Sequence, residues 1–172
     1  ENIYRFFRTH HDVTVVTGKG DQYAAAAARL AEVLKPWDIR CTVVPAESVK
    51  PREMTEEEAA TWCGMQPSRV KPGAGNHPAH VGFGIQGAAI LLGTPKDNPI
   101  IAFIEQQGFL PYPVTPEFPG RGRGLIAWQR DAVAYERESI TLIASDAAGL
   151  GEAIGTLYEV AAGLTPLTPW TL

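Results

Sequence analysis

Apolar positions in this chain alternate between short continuous runs and stretches with helical spacing. Asp12 to Thr17 (DVTVVT) is rich in β-branched residues and stops at Gly18-Lys19-Gly20. That pattern predicts a strand closed by a tight turn. From Asp21 to Lys35, the residues Ala24, Ala27, Ala28, Ala31 and Leu34 recur at spacings of three and four, which marks one face of a helix. Asp21 is the expected N-cap, because a carboxylate there accepts from free N–H groups of the first turn. Pro36 cannot continue the helix. Ile39 to Val44 (IRCTVV) reads as a second strand, ended by Pro45. A strand, a helix and a strand in this order predict a parallel pair joined by a right-handed crossover.

Thr55 to Trp62 (TEEEAATW) predicts a short helix, with Thr55 and Glu58 as a capping box. Gly64 to Ala79 is rich in Gly and Pro without apolar periodicity and reads as a loop. Gly87 to Leu92 (GAAILL) is continuously apolar, as a central strand buried on both faces must be. Gly93-Thr94-Pro95 closes it. Asn98 to Gln107 predicts a helix with Asn98 as cap and Pro99 at its first position. Gly108 to Gly120, with four prolines, is a loop. Gly124 to Arg130 and Glu138 to Ala144 are strands whose short connector favours an antiparallel hairpin. Asp146 to Ala162 is the last helix, with Leu150, Ala153, Ile154, Leu157, Tyr158 and Ala161 as its apolar face and Gly163 as its stop. The order β-α-β-(α)-β-α-β-β-α predicts an α/β fold. Its sheet is mixed and mostly parallel, with helices on both faces and a C-terminal antiparallel hairpin.

Length and composition narrow the picture. The 172 residues suit one domain. Residues 1–164 are expected to form it, and 165–172, containing Thr165-Pro166-Leu167-Thr168-Pro169-Trp170, read as a linker-like tail toward a further domain. With Glu1 at the start, both ends are expected to be cuts in a longer protein. Charged residues are 20% and the net charge is −4, with no Lys/Arg run, which argues against a nucleic-acid partner. No apolar stretch approaches the roughly 20 residues of a membrane span, so no membrane partner is expected. Cys41 and Cys63 are too few for a disulfide framework, and the plainer account is a buried thiol at Cys41.

The second half carries a family resemblance. Leu91-Leu92-Gly93-Thr94-Pro95 is followed by Asn98-Pro99-Ile100-Ile101, then by Gly122 to Ile126. Ile140-Thr141-Leu142-Ile143-Ala144 precedes Ala147-Ala148-Gly149 and Gly155-Thr156-Leu157. This succession resembles the accessory α/β domain that precedes the catalytic barrel in α-glucuronidases and family 20 β-hexosaminidases. The opening β-α-β unit, with its helix in Tyr23 to Leu34, matches that domain as well. Two features depart from it: Ile154 replaces an aromatic, and the insert from Glu47 to Gly82 is long. The resemblance implies a non-catalytic domain of an exported, carbohydrate-related protein, extracellular or periplasmic, without cofactor.

Several segments carry candidate chemistry. Gly18, Lys19 and Gly20 sit between the first strand and the first helix, where open α/β sheets bind anions. Tyr23 replaces the third glycine of a dinucleotide fingerprint, however, and no P-loop follows. The plainer account is a tight turn. Thr94 and Asn98 belong to the equivalent loop after the third strand. His77 and His80 are two loop histidines, short of the three or four ligands of a zinc site, so no metal is expected. Glu56, Glu57 and Glu58 suit a helix start better than a glycosidase pair, which must face each other across roughly 5 to 9.5 Å. Arg121 and Arg123, between glycines, can approach a carboxylate or phosphate. Tyr112, Phe118 and Trp128 nearby can stack on a sugar or pack on another domain. The plainer account there is a turn entering an edge strand. No G-x-S-x-G elbow or nucleophile–base spacing is present.

The expectation is therefore a non-catalytic accessory domain whose partners are neighbouring domains and carbohydrate. The alternative is a small-ligand or nucleotide-binding domain. Its candidate ligand residues are Gly18, Lys19, Gly20, Thr94 and Asn98, with Arg121, Arg123 and Trp128.

Overall fold

The computed structural model describes residues 2–53, 57, 80–115, 117–134 and 136–162. Its elements are α1 (Asn2–Thr9), β1 (Asp12–Thr17), α2 (Asp21–Leu34), β2 (Arg40–Pro45), β3 (Pro51–Glu53), β4 (His80–Phe83), β5 (Ala88–Leu92), α3 (Pro99–Gln106), β6 (Gly124–Arg130), β7 (Glu138–Ala144) and α4 (Ala147–Ala161). Five strands form one sheet in the order β2-β1-β5-β7-β6, and β3 pairs with β4 separately. β2, β1, β5 and β7 run parallel, while β6 is antiparallel to β7, with Gly124 opposite Ala144 and Arg130 opposite Glu138. The fold is the expected mixed, mostly parallel α/β sheet with helices on both faces.

Strand β5 explains why its sequence is apolar throughout. Ala88, Ile90 and Leu92 pack toward α1, α2 and α4, while Ala89 and Leu91 pack toward α3. All five residues are buried, because a central parallel strand has no solvent face. α3 places Ile100, Ile101 and Ile104 on the second face.

The structure departs from the local sequence patterns in several places, among them the β3–β4 pair, which no sequence pattern predicted. Helix α1 was not anticipated, although Ile3, Phe6 and Phe7 have helical spacing and are buried. Arg5 donates to Glu138 at 2.6 Å and His10 Nε2 lies 3.1 Å from the same carboxylate, which ties this N-terminal segment to β7. The buried face of α2 is Tyr23, Ala27, Leu30 and Leu34, while Ala24 and Ala28 are exposed. The larger side chains turn toward the sheet because they remove more apolar surface from water. Asp21 is not the N-cap. Gly20 holds that position, with no side-chain cap, and Asp21 lies in the first turn. On α4, Tyr158 is exposed and Val160 is buried in its place. The predicted helix at Thr55 to Trp62, the loop at Gly64 to Ala79, Gly163 and the tail 165–172 lie outside the described residues, apart from Glu57, which is helical and exposed.

Candidate functional site

Strand order reverses between β1 and β5, since the chain leaves β1 toward β2 on one side and β5 lies on the other. Open α/β sheets bind ligands outside the carboxyl ends of the strands at such a point. The two predicted loops meet there. The Gly18 N–H donates to the Leu92 carbonyl at 2.7 Å, and the Lys19 N–H to the Asp97 carbonyl at 2.9 Å. Gly93 has φ +140°, and a Cβ there would lie 3.4 Å from the Gly18 Cα. The positive φ, with the Asn98 Cβ 3.0 Å from where a Cβ would stand, is what favours glycine here.

Side chains fill the space between the loops. Tyr23, from the first turn of α2, is buried, and a Cβ on Gly18 would lie 3.2 Å from its ring. The Tyr23 hydroxyl donates to Asp97, and Thr94 Oγ1 donates to the same carboxylate at 2.5 Å. Burial, then the hydrogen bond to Asp97 and its charge, push the Tyr23 hydroxyl well above the ordinary tyrosine range. Asn98 is wholly buried. Its Oδ1 accepts from the N–H of Ile100 at 3.0 Å and of Ile101 at 3.3 Å, and its Nδ2 donates to the carbonyls of Leu92 at 3.1 Å and Val16 at 3.5 Å. One amide thus caps α3 and ties together the ends of β1 and β5.

The arginine segment lies on the same edge of the sheet, beyond β7. Asp146 caps α4, with Oδ1 accepting from the Gly149 N–H at 2.8 Å and Oδ2 from the Gly122 N–H at 2.9 Å. Its carboxylate stands where an external anion would approach the helix N-terminus. Gly120 and Gly122 have φ +91° and +69°, so the turn that presents Arg121 and Arg123 relies on glycine. Both arginines are exposed. Trp128 is elsewhere. It lies opposite Ile140 near the other end of β6, half-buried, with the Arg5 guanidinium 5.9 Å from its ring centroid. The structure therefore brings Gly18, Lys19, Gly20, Thr94 and Asn98 together, sets Arg121 and Arg123 along the same edge, and separates Trp128 from all of them.

The hydrogen bonds from Gly149 and Gly122, with the charge of Arg121, hold the Asp146 carboxyl below the usual aspartate value of 3.8. A depressed carboxylate stabilises the fold above its unfolded pKa, and the contribution is lost as pH falls through the folded value. The melting temperature of the wild type is expected to exceed that of Asp146→Asn at pH 6, and the gap to close below about pH 4. A gap that stays constant from pH 6 to pH 3 would remove this role of the charge.

Tyr23, Asp97 and Asp146 join these loops without a sequence signal that marks them as site residues. In the sequence Tyr23 stands only where a fingerprint glycine would be, and Asp146 only at a helix start. The sequence offered no signal for Asp97, because its partner Tyr23 is 74 residues away. Cys41 is half-buried in β2, and burial pushes its thiol up. Cys63, Glu56, Glu58, His77 and the His80 side chain lie outside the described residues. Among the described residues, no group of three His, Cys, Asp or Glu side chains can hold a metal ion, and no helix is long and apolar enough to cross a membrane. A groove of about 830 Å³, not anticipated from the sequence, lies on the second face between β1, β2, residues 48–52 and residues 84–87. Compared with known families and with curated proteins, the chain matches no family model and no curated sequence.

Proposed function

We propose that this domain is a non-catalytic packing domain that supports or orients neighbouring domains of the same polypeptide. The observation that carries the reading is the filled switch point. In a ligand-binding sheet the N–H groups and the space there are kept for the ligand. Here Tyr23, Thr94, Asp97 and Asn98 occupy the space, and the N–H groups of Gly18 and Lys19 are spent on Leu92 and Asp97. The loops act as ties between strands. The exported, carbohydrate-related setting follows from the family resemblance and the linker-like tail 165–172, and carbohydrate would then be a substrate of the neighbours.

A thermal-shift screen against nucleotides, mono- and oligosaccharides, sugar acids and divalent metals tests the reading. A ligand that binds only the native state raises the melting temperature by mass action. The expected result is no concentration-dependent rise with any of them. A rise with a nucleotide, lost when Lys19 is changed to alanine, would overturn the reading in favour of a ligand site at the switch point. A rise with a sugar acid, lost in Arg121→Ala or Arg123→Ala, would overturn it in favour of the arginine turn.

A further inference from the structure

We propose that a buried polar cluster of Gln129, Ser139 and Thr141 binds an internal water molecule. Gln129 is 4% exposed, and Ser139 and Thr141 are fully buried. They share the face of the sheet that packs toward α3, since Gln129 lies directly opposite Ser139, and Thr141 is two residues further along β7. The Gln129 Oε1 accepts from Thr141 Oγ1 at 3.1 Å and from Ser139 Oγ at 3.4 Å. Its Nε2 is buried and has no hydrogen-bond partner among the described residues. Exchanging the two ends of the amide does not remove the problem. The hydroxyls would then accept from nitrogen, and the carbonyl oxygen would be the orphan.

An orphaned buried amide is destabilising unless something pairs with it. An apolar neighbour cannot do so, and besides Gln129 the cross-strand neighbours of the two hydroxyl residues are apolar: Ala89 opposite Ser139 on β5, and Leu91 on β5 and Ala127 on β6 opposite Thr141. A buried water needs about two to four polar partners. The Gln129 Nε2 supplies a donor. Ser139 and Thr141 each give their proton to Gln129 and retain lone pairs that can accept from the water. The water completes a polar tie between the edge strand β6 and its neighbour β7, the two strands that carry the arginine turn and the cap of α4.

A crystal structure of the full chain at a resolution that shows ordered solvent is the direct test. The expected result is a water within hydrogen-bond distance of the Gln129 amide and of the Ser139 or Thr141 hydroxyl. No solvent density there, or a Gln129 amide bonded at both ends to protein groups, overturns the proposal. Gln129→Met keeps the length of the side chain and removes its polar end, so the variant's structure should lack the water. Persistence of the water in Gln129→Met would show that Gln129 does not bind it.

Discussion

Gly149→Ala is expected to destabilise the protein by about 3 kcal/mol, as overpacking a rigid contact does. A Cβ at Gly149 would lie 2.3 Å from the carbonyl oxygen of Arg123, 2.7 Å from its carbonyl carbon and 2.8 Å from its nitrogen. All three are backbone atoms, so no side chain can rotate away. The first turn of α4 would have to lift from the start of β6. Gly124 reinforces the contact, since a Cβ there would meet the Ala153 Cβ at 2.6 Å and the Gly149 carbonyl oxygen at 2.7 Å. The greater helix propensity of alanine, about 1 kcal/mol, opposes the clash without cancelling it. For a domain of this size the loss corresponds to a fall of roughly 6–12 °C in melting temperature. Gly155→Ala, on the same helix with nothing within 4 Å of its added Cβ, is the control and should be neutral or slightly stabilising. Equal melting temperatures for the two variants would show that α4 does not approach β6 this closely.

Asn98→Ala is expected to cost a similar amount, about 2–3 kcal/mol, from two losses at one position. Removing Oδ1 uncaps α3, which is worth about 1 kcal/mol, and leaves the buried N–H groups of Ile100 and Ile101 without that acceptor. Removing Nδ2 unties the carbonyls of Leu92 and Val16, and buried polar groups left unpaired add a further penalty. Asn98→Asp separates the two. It restores the cap acceptor but turns a carboxylate toward the same two carbonyls. The variant should therefore be less stable than wild type at neutral pH and recover as acid protonates the carboxyl. Urea unfolding at pH 7 and pH 4 reads both effects. An Asn98→Ala variant as stable as wild type would mean that neither the cap nor the tie contributes.

Both predictions concern the edge of the sheet that the sequence had marked for a ligand, and they show how far the chain itself revealed it. Gly93-Thr94-Pro95 and Asn98-Pro99 were legible as a strand stop and a helix start because turn and cap chemistry is local. Asn98 caps α3 as expected for that reason. What the same asparagine does with Nδ2 was not legible, because Val16 is 82 residues away. Asp21 shows the opposite case. Its residue type suited a cap, but Gly20 took the position, and nothing local distinguished one residue from the next.

The sequence by itself determined the kind and order of the main elements. β-branched runs, helical spacing, prolines and glycines act over a few residues, and they place β1, α2, β2, β5, α3, the β6–β7 hairpin and α4 correctly. It also determined that the central strand would be buried on both faces, since Ala88 to Leu92 has no polar position to offer solvent. Only the tertiary structure decided which strand neighbours which, and so which loops meet. It brought Tyr23 against Gly18 and Asp97 at the turn after β1. It set Asp146 across from Gly122, and it moved Trp128 away from the arginines. Those contacts join residues far apart in the chain. They depend on sheet order, which buried area and crossover handedness select for the whole fold at once.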